Sequence, residues 1–482
     1  MALGVLSSLV LRTSPSPSMS LEDNLYPLLK LYEAAPQPVK TLAGRVYRAI
    51  PASLRYGPSY AGFQAEARAV ETWDAATIRD FQTRKVQESL MAAARAPFYA
   101  ARFAEQGVEP AKFTSLEQLA EYPLLTKSDL IVHREQMVNS TMASSQRLYL
   151  TTGGSSGVPV GFYLHKGVSR AKEQAYLNAM WSRVGYVPGA KVAVIRGHAV
   201  GGRKPWYFDA TRNWLIMSSA MLSVDACGDY LEELRRFRPR FIHAYPSSAM
   251  LLAQHMADRS IKLDGALSGM LCGSEHLSLE DKAWLERVFQ TKVFRWYGHS
   301  ERTVLAGEGS RSSAFHFCPA YGYVEFGVPD ADGLCEVIGT SFDNQVMPLI
   351  RYRTGDFVRM APVGSPREFD WPCVTEIVGR ESEFLVARDG RRVPVTVVNR
   401  HDDAFDGLRA LQFHQSEAGS LEVRVVPSTT LEQSALTSIE QRIVERIGSG
   451  FTLRICEVED VERTARGKQR WLVSSLPAGG GR

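Results

Sequence analysis

The stretch Leu148–Leu164, LYLTTGGSSGVPVGFYL, packs two threonines, two serines and three glycines between two runs of strand character. Hydroxyls and the exposed amides of glycines can close round phosphate oxygens. Thr151, Thr152, Gly153, Gly154, Ser155, Ser156 and Gly157 are the candidates for such a cradle. The same letters fit G-x-S-x-G, which would make Ser155 an esterase nucleophile on a strand-to-helix turn. Pro159 and the alternating VGFYL argue instead that a strand follows, and no G-K-[ST] completes a Walker loop. A plain hairpin explains this stretch, taken alone, as well as a phosphate loop does.

Four further stretches carry side chains suited to nucleotide chemistry. RWYGHSERT offers Tyr297, Gly298, Ser300 and Glu301 at the end of a strand. LIRYRTGDF reads as a tight R-T-G-D turn that aims Asp356 outward, TEIVGRESEFLV holds Gly379 and Arg380, and TARGKQR holds Gly467 and Lys468. Each has a bland alternative: a surface loop, a β-turn, a salt-bridged arginine, a solvated basic tail.

In order and rough spacing, these motifs resemble the adenylate-forming superfamily of acyl-CoA synthetases, amide synthetases and related ligases. The phenylacetate-CoA ligase branch is the nearest, and within it the CapK-like proteins, to which FHFCPAYGYVEF, GRESEFLVARDG, HDDAFDGLRALQFHQ and TARGKQR are similar. The resemblance covers about Glu22 to Val473. It implies ATP and Mg2+ as cofactors, with CoA as a further one, a small carboxylic acid as substrate, and CoA or an amine as acceptor; it leaves a homodimer open.

The resemblance also implies roles. The glycine-rich loop would wrap the β and γ phosphates, and Glu301 would hold Mg2+. Tyr297 would stack on adenine beside Gly298 and Ser300, with Ser274 and Glu275 of CGSEHL in the adenine-side turn. Asp356 would accept the ribose hydroxyls and Arg380 would complete that grip. Lys468, on a mobile loop, would bridge carboxylate and α-phosphate as charge develops. Ser382 would be the hinge of a small domain that alternates between two reactions. His198, Tyr245 and Ser247 would wall the acid pocket. Trp206, Tyr207, Phe208 and Trp214 hint at an apolar or aromatic acid, although core packing explains them better.

The chain also departs from the family pattern. Many relatives place a lysine after the loop proline, where this sequence has Val160, so that phosphate contact is either absent or supplied elsewhere, with Lys166 and Arg196 as the candidates. Two other readings stand beside the ligase: a serine esterase built on Ser155, and a non-catalytic nucleotide-binding relative in a polysaccharide or natural-product pathway.

Elements must position these residues, and 482 residues suit one large domain and one smaller. From Asn24 to Lys127 apolar residues recur at helical spacing. KVAVIRG, RFIHAYP, LSGMLCGSE and KVFRWYG then alternate with the helical CGDYLEELRRF, SSAMLLAQHMADR and SLEDKAWLERVFQ, which is an α/β pattern with functional loops at strand ends. YGYVEFG, LCEVIGTSF, LIRYRTGDFVRM and CVTEIVGR read as antiparallel strands of a β-rich subdomain. The expected division is a disordered extension at 1–20, an adenylation domain of mixed sheets and flanking helices at 21–380, and a small mobile α+β domain at 381–482.

Net charge is +4, which implies no nucleic-acid partner, and no run approaches a membrane span, so a cytoplasmic protein is expected. Six cysteines lack disulfide or zinc spacing; His316 and Cys318 are at most half a metal site, and buried thiols are the better reading.

Overall fold

A computed structural model describes residues 35–476 except 152–159, 198–203, 224, 264, 266, 331–332, 363, 366, 381–383, 391, 396–397, 399–404, 406–407, 428–429, 449 and 464–468. The predicted extension, Thr152–Gly157, His198, Ser382 and Lys468 therefore lie outside the described residues.

The N-terminal region is helical as its periodicity predicts. Asp74 caps the helix Ala75–Ala93 by accepting from the Thr77 amide at 2.9 Å. Thr126 and Asp129 form a capping box that starts the short helix Lys127–His133. Next come β1 (Arg147–Thr151) and β2 (Gly161–His165), an antiparallel pair with Thr151 opposite Gly161. A strand, and not a helix, thus follows the glycine-rich loop, which is the arrangement that a nucleophile elbow lacks. Val160, just after the loop proline, is fully buried in the core.

Twelve strands form one continuous sheet. The parallel part comprises β3 (Val192–Arg196), β5 (Trp214–Ser218), β6 (Phe241–Ala244), β7 (Gly269–Gly273) and β8 (Val293–Gly298), with β4 (Trp206–Asp209) antiparallel at the edge. Successive residues alternate between two cores: Val192 and Val194 enter one, while Ala193 and Ile195 enter the other with the helices Cys227–Phe237, Pro246–Asp258 and Leu279–Phe289. The hairpin of β4 and β5 is absent from the sequence-based expectation. Two of its aromatic residues are packed, the Trp206 ring meeting Tyr230 at 5.5 Å and Phe208 meeting Phe237 at 5.9 Å, which favours core over pocket, while Tyr207 is exposed.

The predicted antiparallel block is not a separate sheet. Strands β9 (Leu305–Glu308), β10 (Phe315–Phe317), β11 (Gly322–Phe326), β12 (Leu334–Ser341), β13 (Tyr352–Met360) and β14 (Cys373–Arg380) continue from β8 in the order β8-β9-β10-β14-β13-β12-β11. Tyr297, Ala306, Phe315, Phe317, Val324, Val337, Val358 and Val374 from these strands share one apolar core, so the sheet curls around it.

After the short pair β15 (Phe384–Val386) and β16 (Arg392–Pro394), a four-stranded sheet has the order β19-β18-β17-β20, from β17 (Leu408–Glu417), β18 (Ser420–Pro427), β19 (Thr452–Glu457) and β20 (Leu472–Ser474). The helix Gln433–Ile447 lays Ile439, Ile443 and Ile447 on this sheet, giving the small C-terminal α+β part its own core. Among the described residues no helix is long and apolar enough to cross a membrane.

Candidate active site

The carboxyl end of β8 carries the site. Tyr297 is buried, with its ring 5.9 Å from that of Phe317, and its hydroxyl donates to Asp356 Oδ2 at 2.7 Å. Arg380 Nε, at the end of β14, donates to Asp356 Oδ1 at 3.1 Å. Burial and the neighbouring Asp356 carboxylate push the Tyr297 phenol well up, so it stays a hydrogen-bond donor.

Asp356 is not on an outward turn as the motif suggests. Arg353–Asp356 lie within β13, where the register slips as Ile338 pairs with Arg353 and Glu336 with Phe357. Gly355 at φ +72° permits this bulge, which turns Asp356 inward to 6% exposure. A carboxylate has about four acceptor positions, so two bonds leave capacity for hydroxyls of a ligand.

Glu301 follows one short turn after β8 and is also buried. Its Oε1 accepts from Tyr352 Oη at 3.1 Å, and its Oε2 meets His299 Nδ1 at 3.2 Å. His299 Nε2 pairs in turn with Thr303 Oγ1 at 3.0 Å. Burial alone would raise the Glu301 pKa, but His299 and, behind it, Arg380 outweigh burial and hold it at about 2. An ionised, buried carboxylate offers hard oxygen donors and fits Mg2+, which retains several waters beside one or two carboxylates.

Lys127 opens the helix capped by Thr126, next to the bridge between Leu125 and Tyr352. Burial and the nearby Arg380 lower its pKa, while Glu301 acts to raise it. Sequence reasoning missed Lys127, His299 and Tyr352. His299 and Tyr352 lie inside motifs already singled out, but nothing in PLLTKSDL distinguishes Lys127 from a surface lysine.

Ser274 and Glu275 follow β7. Ser274 is exposed, with φ +71°, and its Oγ accepts from Arg196 Nη2 at 2.6 Å. Glu275 caps the helix Pro246–Asp258: its carboxylate accepts from the Ser247 amide at 2.8 Å and the Ser247 hydroxyl at 3.1 Å. Tyr245 and Ser247 are thus placed at the carboxyl end of β6, beside this turn. Thr151 ends β1 exposed, Gly298 ends β8, and Ser300 is exposed between His299 and Glu301. Arg463 and Gln469, on either side of residues 464–468, form an antiparallel bridge. His316 is fully buried, all six cysteines are free thiols, and no group of three metal-ligating side chains occurs among the described residues.

Residues 385–475 match the family described as the CapK C-terminal domain. The chain is 22% identical over 395 residues to Protein CapK of Staphylococcus aureus, covering 79% of this chain and 85% of that one. It is 26% identical over 343 residues to phenylacetate-coenzyme A ligase of Pseudomonas putida, covering 68% and 76%. A solved structure of 2-hydroxyisobutyryl-CoA ligase in the postadenylation state superposes with a TM-score of 0.67 over 85% of this chain and 92% of that chain, at 18% identity, a likeness of fold. The fold is therefore the one that this solved ligase adopts. The chain's last part thus matches the CapK C-terminal family, and along most of its length the chain is similar to CapK and to the phenylacetate-CoA ligases.

Proposed function

We propose that this protein activates a carboxylic acid with ATP as its acyl adenylate, releasing pyrophosphate, and passes the acyl group to the thiol of CoA or to an amine, releasing AMP. The observation that carries the reading is the convergence of Tyr297, Glu301, Asp356 and Arg380, joined by hydrogen bonds among themselves and to His299 and Tyr352. The named relatives and the solved ligase support it.

A carboxylate and a triphosphate repel each other, so the site must neutralise charge before a carboxylate oxygen attacks the α-phosphorus and the bond to pyrophosphate breaks. Asp356 is held inward to accept ribose hydroxyls, and Arg380 adds positive charge at the same point. Glu301 would hold Mg2+, whose charge offsets that of the phosphates. Thr151 and the loop Thr152–Gly157 would cradle the phosphates, with Gly298 and Ser300 lining the nucleotide's approach. Lys468 would neutralise the oxygens between acid and α-phosphate, and rotation about Ser382 would withdraw it before transfer.

Acid-dependent ATP–pyrophosphate exchange over aryl, fatty, amino and sugar acids tests this reading. Exchange with one class of acid, abolished in Lys468→Ala, is the expected result; ATP binding that no acid converts into exchange would overturn it. Addition of CoA or of amines to the exchanging acid then identifies the acceptor by AMP release.

A further inference from the structure

Arg196 ends β3, beside β6 and one strand further from β7, on the sheet face that also carries His243 and Trp296. Its Nη1 lies 2.5 Å from His243 Nε2, and its Nη2 donates to Ser274 Oγ. The guanidinium carbon sits 4.7 Å from the centroid of the Tyr245 ring and 5.8 Å from that of Trp296. The Trp181 ring closes the group, 5.1 Å from His243 and 5.9 Å from Trp296. The buried indole N–H groups of Trp181 and Trp296 meet no acceptor.

This half-buried cation is flanked by rings and neutral acceptors. Among the described residues no carboxylate lies within 4.0 Å of it, and the neighbouring Glu275 is spent on the start of the helix at Pro246. Burial pulls the Arg196 pKa down, opposed by Tyr245 and Glu275. Glu275 acts on this guanidinium only from beyond contact distance, so the planar fork can still take a carboxylate in two-point contact. Aromatic walls suit the carbon body of an acid, whereas a triphosphate needs a lining rich in backbone amides. Its bond to Ser274 ties Arg196 to the turn after β7, which the adenylation reading sets beside adenine.

Resting on the adenylation reading, we propose that Arg196 binds a second carboxylate, remote from the reacting one, and that the substrate is therefore a dicarboxylic acid. Only one of its two carboxylates reaches the α-phosphate. The other remains on the guanidinium throughout, and the acyl product keeps that free carboxylate.

The test is pyrophosphate exchange by the full chain with matched acid pairs: succinate against butyrate, glutarate against valerate, phthalate against benzoate. In the wild type the dicarboxylic member of at least one pair should exchange about 100-fold faster in kcat/KM, the size expected for a desolvated charge pair. Arg196→Met should reverse that preference, through KM for the acid and not KM for ATP. Preference for the monoacid throughout would overturn the proposal and leave adenylation standing, and this reading needs no variant to fold. A rise in KM for ATP in Arg196→Met would assign the arginine to phosphate and also overturn it. Absence of exchange with every acid would remove the adenylation reading and this proposal with it.

Discussion

Tyr297 and Asp356 are joined by a hydrogen bond of 2.7 Å although their strands are far apart in the sheet order. Between β8 and β13 stand β9, β10 and β14, and four steps of about 4.8 Å would separate the two strands by about 19 Å in a flat sheet. The bond therefore exists only because the sheet curls round its core, and it staples the curl at the site.

Replacing that staple should affect ligand binding and stability together. Tyr297→Phe keeps the ring in its core but removes the donor to a buried carboxylate, a loss of about 2 kcal/mol for a bond to a charged group. A raised KM for ATP and a lower urea midpoint are expected; an unchanged KM would mean that Arg380 alone orients Asp356.

Lys127 supplies positive charge close to Glu301 and Arg380. Lys127→Met should lower kcat/KM for ATP about tenfold, equivalent to about 1.4 kcal/mol, without moving the unfolding midpoint by more than a few tenths. Steady-state kinetics at saturating acid measure this, and wild-type kinetics in the variant would reduce Lys127 to a helix-start residue.

Asp343 accepts from Lys172 at 2.7 Å and Lys85 at 2.6 Å. Burial opposes its ionisation, but the two lysines prevail and lower its pKa from 3.8 to about 2. A pKa depressed by folding stabilises the native state at pH above 3.8, and that stabilisation is lost as pH falls through about 2. Asp343→Asn suits the local φ of 64° and should remove about 2 kcal/mol of acid-dependent loss. Denaturant unfolding at stepped pH, wild type against variant, isolates it from Glu301, which titrates in the same window.

Glu308 neutralises two cations beneath β8: Arg295 at 2.8 Å and Lys282 at 2.8 Å. Glu308→Ala leaves a buried guanidinium unpaired and should cost about 3–5 kcal/mol. A fall in the thermal midpoint is expected. Retention of wild-type stability would mean that water reaches Arg295.

What could be read along the chain were groups close in sequence: the strands β3, β6, β7 and β8, the helices between them, and the motifs carrying Glu301, Asp356 and Arg380. Each follows from local periodicity or from a short string of side chains. The hairpin of β4 and β5 escaped because its aromatic residues and charges lack clean alternation. The single curled sheet, the inward turn of Asp356 and the placement of Lys127 escaped because they rest on contacts between distant segments. Tyr297 and Asp356 are 59 residues apart, and Arg196 lies 47 residues from His243 and 78 from Ser274. A motif names the side chain that can do the chemistry. Which partner it meets, and with what burial and charge, is set when the sheet closes on its core.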